Sequence, residues 1–455
     1  MIPNKAIPQT NTASIHAILL FLAALTLLDW TGATQLSAMP RVHRSVLPNQ
    51  LRVIVFEDHS LPVVVFRLLT DAGSWRDPKG KEGLANLTAK AILLGTAARS
   101  ASEIDEQLDF MGSSLDASCT KDYAVLGMET LKSRMEKGAA LLAETLTQPA
   151  FPDGEIQKEI ARISGGIQSA EDRPMETAEK AFDKALFGAG PYGHYVEGTR
   201  ESLATVTRED VARFHAAYYR PNNSILTVGG DITPEEVQAR IVPLLSAWTA
   251  GEIPETPFTA SFAEKGETVL IDKTVAQATI VLGNPGVDRS NKDYYALLVM
   301  NHILGGGSFS SRLVEEIRIK RGLAYALASF FSARKHDGAF QIVVQTKNAS
   351  AREAIALAVE QMRRIQQEPV SASELETARK YLIGSFPQRF STQKDLADFL
   401  TQVEYFGLGA DYPDKFPSLI RAVTREDVLR VARTYLRPNS PVLVVVGNIK
   451  ETGME

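Results

Sequence analysis

TREDVARFHAAYYRPNNSILTVGGDI, residues 207–232, returns as TREDVLRVARTYLRPNSPVLVVVGNI, residues 424–449. The copies align without a gap, and the second starts 217 residues after the first, at Thr424 against Thr207. Each has the same local grammar. A threonine stands before acids, the pattern of a helix N-cap whose first turn suits the helix dipole. An amphipathic helix follows and is stopped by Arg-Pro-Asn, since proline has no amide hydrogen to continue the ladder. An apolar strand closes each copy, over 225–228 and 442–446. A match of this length implies a duplicated fold in which each copy closes one half.

Outward from the repeat, the rest of the halves corresponds more loosely. Segments 51–56 and 63–69 read as paired strands opening the first half, and 268–271 and 279–282 do the same for the second. A helical region spans 153–187, and its counterpart starts near Ser373. Runs of strands and helices without strict alternation predict an α+β fold, each half a largely antiparallel sheet packed with helices. The expected division is 1–38, a signal peptide; 39–250, the first half; 251–267, a linker with Gly251, Pro254 and Pro257; and 268–455, the second half. Two joined halves would enclose a cavity, a common place for a ligand.

The chain has 455 residues, more than one hydrophobic core sustains, which is roughly 250–300. Net charge is −5 with no Lys/Arg block, which argues against nucleic acid as a partner. The single cysteine, Cys119, excludes an intrachain disulfide and a cysteine metal site; its place in the alternating run 115–126 reads as a buried strand position. Residues 15–28 are almost continuously apolar, with Lys5 before them and Gly32-Ala33 and Ser37-Ala38 after. That run is shorter than the about 20 residues of a membrane helix. It reads as the h-region of a signal peptide cut near Ala33 or Ala38, giving a periplasmic mature chain without a membrane span.

Three stretches carry a family resemblance. Residues 47–96 read LPNQLRVIVFEDHSLPVVVFRLLTDAGSWRDPKGKEGLANLTAKAILLGT, residues 171–174 read EDRP, and residues 304–325 read LGGGSFSSRLVEEIRIKRGLAY. Together they resemble the pitrilysin-like metallopeptidases, the inverzincins, and especially their mitochondrial-processing-peptidase branch. Active members carry His-x-x-Glu-His on a helix, where the two histidines at i and i+4 share a face and bind zinc, and the glutamate activates water. A later glutamate completes the site.

The resemblance places Asn86 at the first histidine, Ala89 at the catalytic glutamate and Lys90 at the second histidine, with Gly83-Leu84-Ala85 and Gly95-Thr96 fixing the register. Gly166 takes the position of the distal glutamate, counted back from Glu171-Asp172-Arg173-Pro174. A protonated lysine repels zinc, alanine is no base and glycine has no ligand atom, so no metal is expected in this chain. The seven histidines (His16, His43, His59, His194, His215, His302 and His336) are too dispersed for two to share a helix face. His194-Tyr195-Val196-Glu197 is a weak pattern that reads as a loop.

The resemblance also implies a functional Arg/Tyr pair, Arg318 and Tyr325, able to hold a peptide carbonyl or its oxyanion. Composition alone would make them a helix-end ion pair and a half-buried strand tyrosine. A helix from about Ser311 should end near Gly322, with a strand from Tyr325. Gly305-Gly306-Gly307 lacks the Gly-Lys-Ser/Thr ending of a phosphate loop. It reads either as a turn between helices or as a substrate-binding loop. One half of an active site is gone and the other kept. The expectation is therefore one lobe of a clamshell, a zinc-less subunit of a heterodimeric peptidase. Its homologous partner would bring zinc, and both would handle a peptide substrate. The competing expectation is a purely structural or peptide-binding subunit.

Overall fold

A computed structural model describes residues 39–259, 261–262 and 266–454; the segment read as an export signal lies outside them. The first half contains β1 (Val42–Val46), β2 (Arg52–Glu57), β3 (Val63–Thr70), α1 (Leu84–Ala91), α2 (Ala101–Met111), β4 (Ser114–Cys119), β5 (Ala124–Leu131), α3 (Met135–Thr147), α4 (Asp153–Glu171), α5 (Pro174–Phe187), α6 (Arg208–Tyr218) and β6 (Ser224–Gly230). The second contains β7 (Thr268–Asp272), β8 (Gln277–Pro285), α7 (Tyr294–Asn301), β9 (Ala324–Ala333), β10 (Gly338–Lys347), α8 (Ala351–Gln367), α9 (Ala372–Ser385), α10 (Gln393–Tyr405), α11 (Tyr412–Ala422), α12 (Arg425–Tyr435) and β11 (Val442–Gly447). The class is α+β.

The sheets run β1-β2-β6-β3-β5-β4 and β7-β11-β8-β10-β9, one order used twice with β1 added. In each, the repeat's closing strand lies parallel to the opening strand and antiparallel to the next. This corrects the expected pairing of the two opening strands: β6 separates β2 from β3, and β11 separates β7 from β8. The closing strands are apolar on both faces because they sit inside their sheets, where side chains are covered above and below.

Both repeat threonines cap their helices reciprocally. Thr207 accepts from the Asp210 amide at 3.3 Å while Asp210 accepts from the Thr207 amide at 2.9 Å; Thr424 and Asp427 do the same at 3.0 and 3.0 Å. Their surroundings differ. Asp210 is buried and ion-paired to Lys81, whereas Asp427 is about a third exposed. Burial works against the Asp210 carboxylate, yet hydrogen bonds from Lys81 and Thr207 bring it down to about 2. Asp210→Ala should therefore cost about 2–3 kcal/mol, a cap plus charge-assisted bonds, and Asp427→Ala about 1 kcal/mol. Denaturant midpoints of the two variants check this. Because the folded value is depressed, the Asp210 contribution is complete above its unfolded pKa, near 3.9, and is lost as pH falls toward 2.

Each half lends a helix to the other half's sheet. Ala178, Phe182, Ala185 and Leu186 recur on one face of α5, and that face packs on β8 and β11, among Val281, Val442, Val444 and Val446. The equivalent helix of the second half, α10, covers β3 and β6 instead. Its contact is polar: Thr401 bonds Thr227 at 2.7 Å, and Asp398 lies 3.0 Å from Arg67, which is 2% exposed. Residues 42–455 consequently form one compact unit. The segment read as a linker carries no helix or strand in its described residues but is anchored: Phe258 stacks on His336 at 4.6 Å and Phe262 packs on Phe187 at 5.6 Å.

Candidate functional site

The first site is set by how α1 begins. Gly83 takes φ +97° and a Cβ there would sit 2.5 Å from the Glu197 carbonyl, so glycine is required where the chain crosses itself. Asp77, fully buried, accepts from the Gly83 and Ala85 amides at 2.8 and 2.7 Å, satisfying donors that a helix start leaves free. His194 Nε2 lies 2.9 Å from the Ser74 carbonyl and 3.2 Å from Asp77 Oδ2. That histidine braces the helix start.

Asn86 and Lys90, one turn apart on α1, line a cleft of about 390 Å³ together with Gly166 of α4. A Cβ on Gly166 would meet nothing within 4 Å, so the wall there is open. Ala89 faces inward, 2% exposed, against Leu68, Ala117 and Tyr219. The aligned positions thus come together around one cleft, with Ala89 behind it. Other cleft residues were not legible as site residues: Ser118 and Cys119 at the end of β4, Arg162 one turn before Gly166, Lys180 of α5, and Glu197. The i, i+4 spacing of Arg162 and Gly166 on α4 is the one local signal that could have found any of them. Cys119, read as a buried strand position, is half-buried on the cleft wall. Burial, with Asp77 nearby, pushes its thiol well above the ordinary value, so it is not a poised nucleophile.

This cleft does not fit zinc. Ala89 and Gly166 carry no donor atom, Lys90 is a cation, and among the described residues no group of three His, Cys, Asp or Glu side chains is placed to hold a metal. Active zinc needs three protein ligands with one open position.

Arg318 and Tyr325 lie in the second half, away from that cleft. The expected helix from Ser311 is largely a wide π-turn, Val314–Lys320, which carries Arg318; Gly322 at φ +65° ends it. Arg318 is exposed, its guanidinium 5.0 Å from the Phe309 ring. Tyr325 is 75% exposed. The register of β9 against β10 jumps from Ala326↔Gln345 to Ala324↔Thr346, so Tyr325 is the unpaired residue of a β-bulge on an edge strand. Bulges re-aim side chains at sheet edges. Neither side chain makes an ion pair or side-chain hydrogen bond among the described residues.

The glycine run is shaped by space. A Cβ on Gly305 would lie 2.5 Å from Ser329 Oγ, on Gly306 2.7 Å from Asn301 Nδ2, and on Gly307 2.6 Å from the His302 carbonyl. His302–Gly306 form a π-turn packed on β9.

A duplicated α+β fold whose first-half helix carries Asn86, Ala89 and Lys90 where His-x-x-Glu-His would stand defines a chain of a metallopeptidase fold without that motif. Residues 52–200 match the family model described as "Insulinase (Peptidase family M16)", and residues 205–382 match "Peptidase M16 inactive domain". The chain belongs to the M16 family, as a non-catalytic member of the pitrilysin type. It is 29% identical over 335 residues to an "Uncharacterized zinc protease" of Rickettsia bellii, covering 74% of this chain and 80% of that one. It is 26% identical over 419 residues to the "Non-peptidase homolog YmxG" of Helicobacter pylori, covering 91% and 96%. A solved structure described as a peptidase M16 inactive domain from Pseudomonas fluorescens superposes with a TM-score of 0.83 at 26% identity, over 90% of this chain and 98% of that one.

Proposed function

We propose that this chain is the zinc-less subunit of a heterodimeric, periplasmic zinc peptidase. A homologous partner carrying His-x-x-Glu-His supplies the metal and the base. This chain supplies Arg318 and Tyr325 in trans, to bind the peptide and stabilise its oxyanion, and one wall of the chamber. The observation that carries the reading is the presentation of this pair. Both side chains are exposed and without polar partners among the described residues, and Tyr325 is turned out of an edge strand by a bulge. An arginine and a tyrosine presented in this way suit a ligand's carbonyl or oxyanion. The outer edge of β9 is unpaired in the sheet, and an extended peptide is the ligand that such an edge accepts.

Export through the apolar run at 15–28 places the pair in the periplasm. No helix among the described residues is long and apolar enough to cross a membrane. The test is trans-complementation: peptide cleavage by this chain mixed with a zinc-bearing homologue, compared with each chain alone. The competing reading, a structural subunit without catalytic contribution, predicts full activity when Arg318 and Tyr325 are both replaced in an assembled pair.

A further inference from the structure

We infer that the cleft bearing the altered zinc positions is a carboxylate-binding site, which receives an acidic side chain or the terminal carboxylate of a bound peptide. The inference builds on the peptide-handling role proposed above.

Three observations carry it. Asn86 is 4% exposed on the cleft wall, and its Nδ2 is turned inward, shielded from the cleft and without a hydrogen-bond partner among the described residues. Burying a donor unpaired is costly, so turning the side-chain amide over, which brings Nδ2 to the cleft, relieves that cost and offers the donor to a ligand acceptor. Lys90, on the same helix face, makes no ion pair among the described residues and lines the same cleft. The charge balance then selects the ligand. Arg162 is neutralised by Glu159, and Arg173 by Glu176 through a two-pronged pair. Lys180 and Glu197 line the cleft with opposite charges, so the formal charges of the lining, with Glu159, sum to one positive. A single ammonium beside a single amide donor matches the two oxygens of a monoanion. The carboxylates in the wall disfavour a phosphate dianion. The open face over Gly166 gives such a group access.

The test is calorimetric titration of the full chain with three N-acetylated peptides of one otherwise neutral sequence. One ends in a free carboxylate, one is amidated and carries a single glutamate, and one is amidated and neutral. At least one carboxylate peptide should bind about 10-fold or more tighter than the neutral one, as for a charge-assisted hydrogen bond. Which one does so separates the terminal from the side-chain group. Lys90→Gln should abolish the preference; it strands no partner, so the variant should fold. Asn86→Leu should reduce the preference while leaving stability equal or higher, whereas a structural role for that amide would lower stability. Equal affinities, no binding by any of the three peptides, or an unchanged preference in Lys90→Gln would overturn the inference. Arg318→Ala should leave the preference intact, so this result stands apart from that of the trans-complementation assay.

Discussion

Arg318→Ala, in the assembled pair with a zinc-bearing homologue, should lower kcat by about 10²–10³, the usual effect of removing a donor from a developing oxyanion. The variant removes a charge and several donors at an exposed position where the guanidinium lies over the Phe309 ring. Folding and assembly should survive, because no ion pair among the described residues is broken. Tyr325→Phe removes one hydroxyl from a residue already 75% exposed, so its effect should be the smaller of the two. The kinetic split is informative. A fall in kcat with KM unchanged means the pair acts on the transition state. A rise in KM alone means it holds the peptide equally well before and during reaction. Steady-state rates on one peptide, with assembly checked by size-exclusion chromatography, decide between them.

The second large effect is on stability. Asp71, at the end of the first half's third strand, accepts from Arg76 at 3.0 Å, from Lys335 of the second half at 2.6 Å and from Tyr405 at 3.0 Å. Burial opposes its ionisation, but the charges of Lys335 and Arg76 prevail and hold the carboxyl below its ordinary value. Asp71→Ala would leave Arg76, 8% exposed, without its counter-charge. Breaking a buried pair from one side costs about 3–5 kcal/mol. The unfolding midpoint in urea at pH 7 should fall accordingly. The sign of the pH dependence follows from the depressed value. The contribution is fully present above the unfolded carboxyl pKa, near 3.9, and disappears as pH falls through the folded one. The gap between wild type and Asp71→Ala should therefore close in acid. An equal gap at pH 7 and in strong acid would show that packing, and not the ion network, is responsible.

What the sequence disclosed depended on whether the signal was local. The two threonine caps and the closing strands are written within a few residues of each other, and the structure has both. Strand neighbours were not legible. β2 and β3 are adjacent in sequence and both apolar, but β6, more than 150 residues later, inserts between them. The apolar stripe of α5 announces burial without naming the sheet, and that sheet belongs to the other half. In the cleft, Asn86 and Lys90 came from a helical spacing and a family register. Lys180 and Glu197 arrive from separate segments that no short motif joins. The bulge at Tyr325 depends on the register against β10, which a single strand's sequence does not reveal.

The most direct measurement of the central claim is peptidase activity, with zinc content, of this chain alone, of a homologous chain with intact His-x-x-Glu-His alone, and of their mixture. The account predicts no stoichiometric zinc and no cleavage from this chain, since Asn86, Ala89, Lys90 and Gly166 occupy the ligand and base positions. It predicts activity from the mixture that neither component shows, with one zinc per heterodimer. Cleavage by this chain alone with a tightly bound zinc, or full activity from the partner without it, would contradict the account.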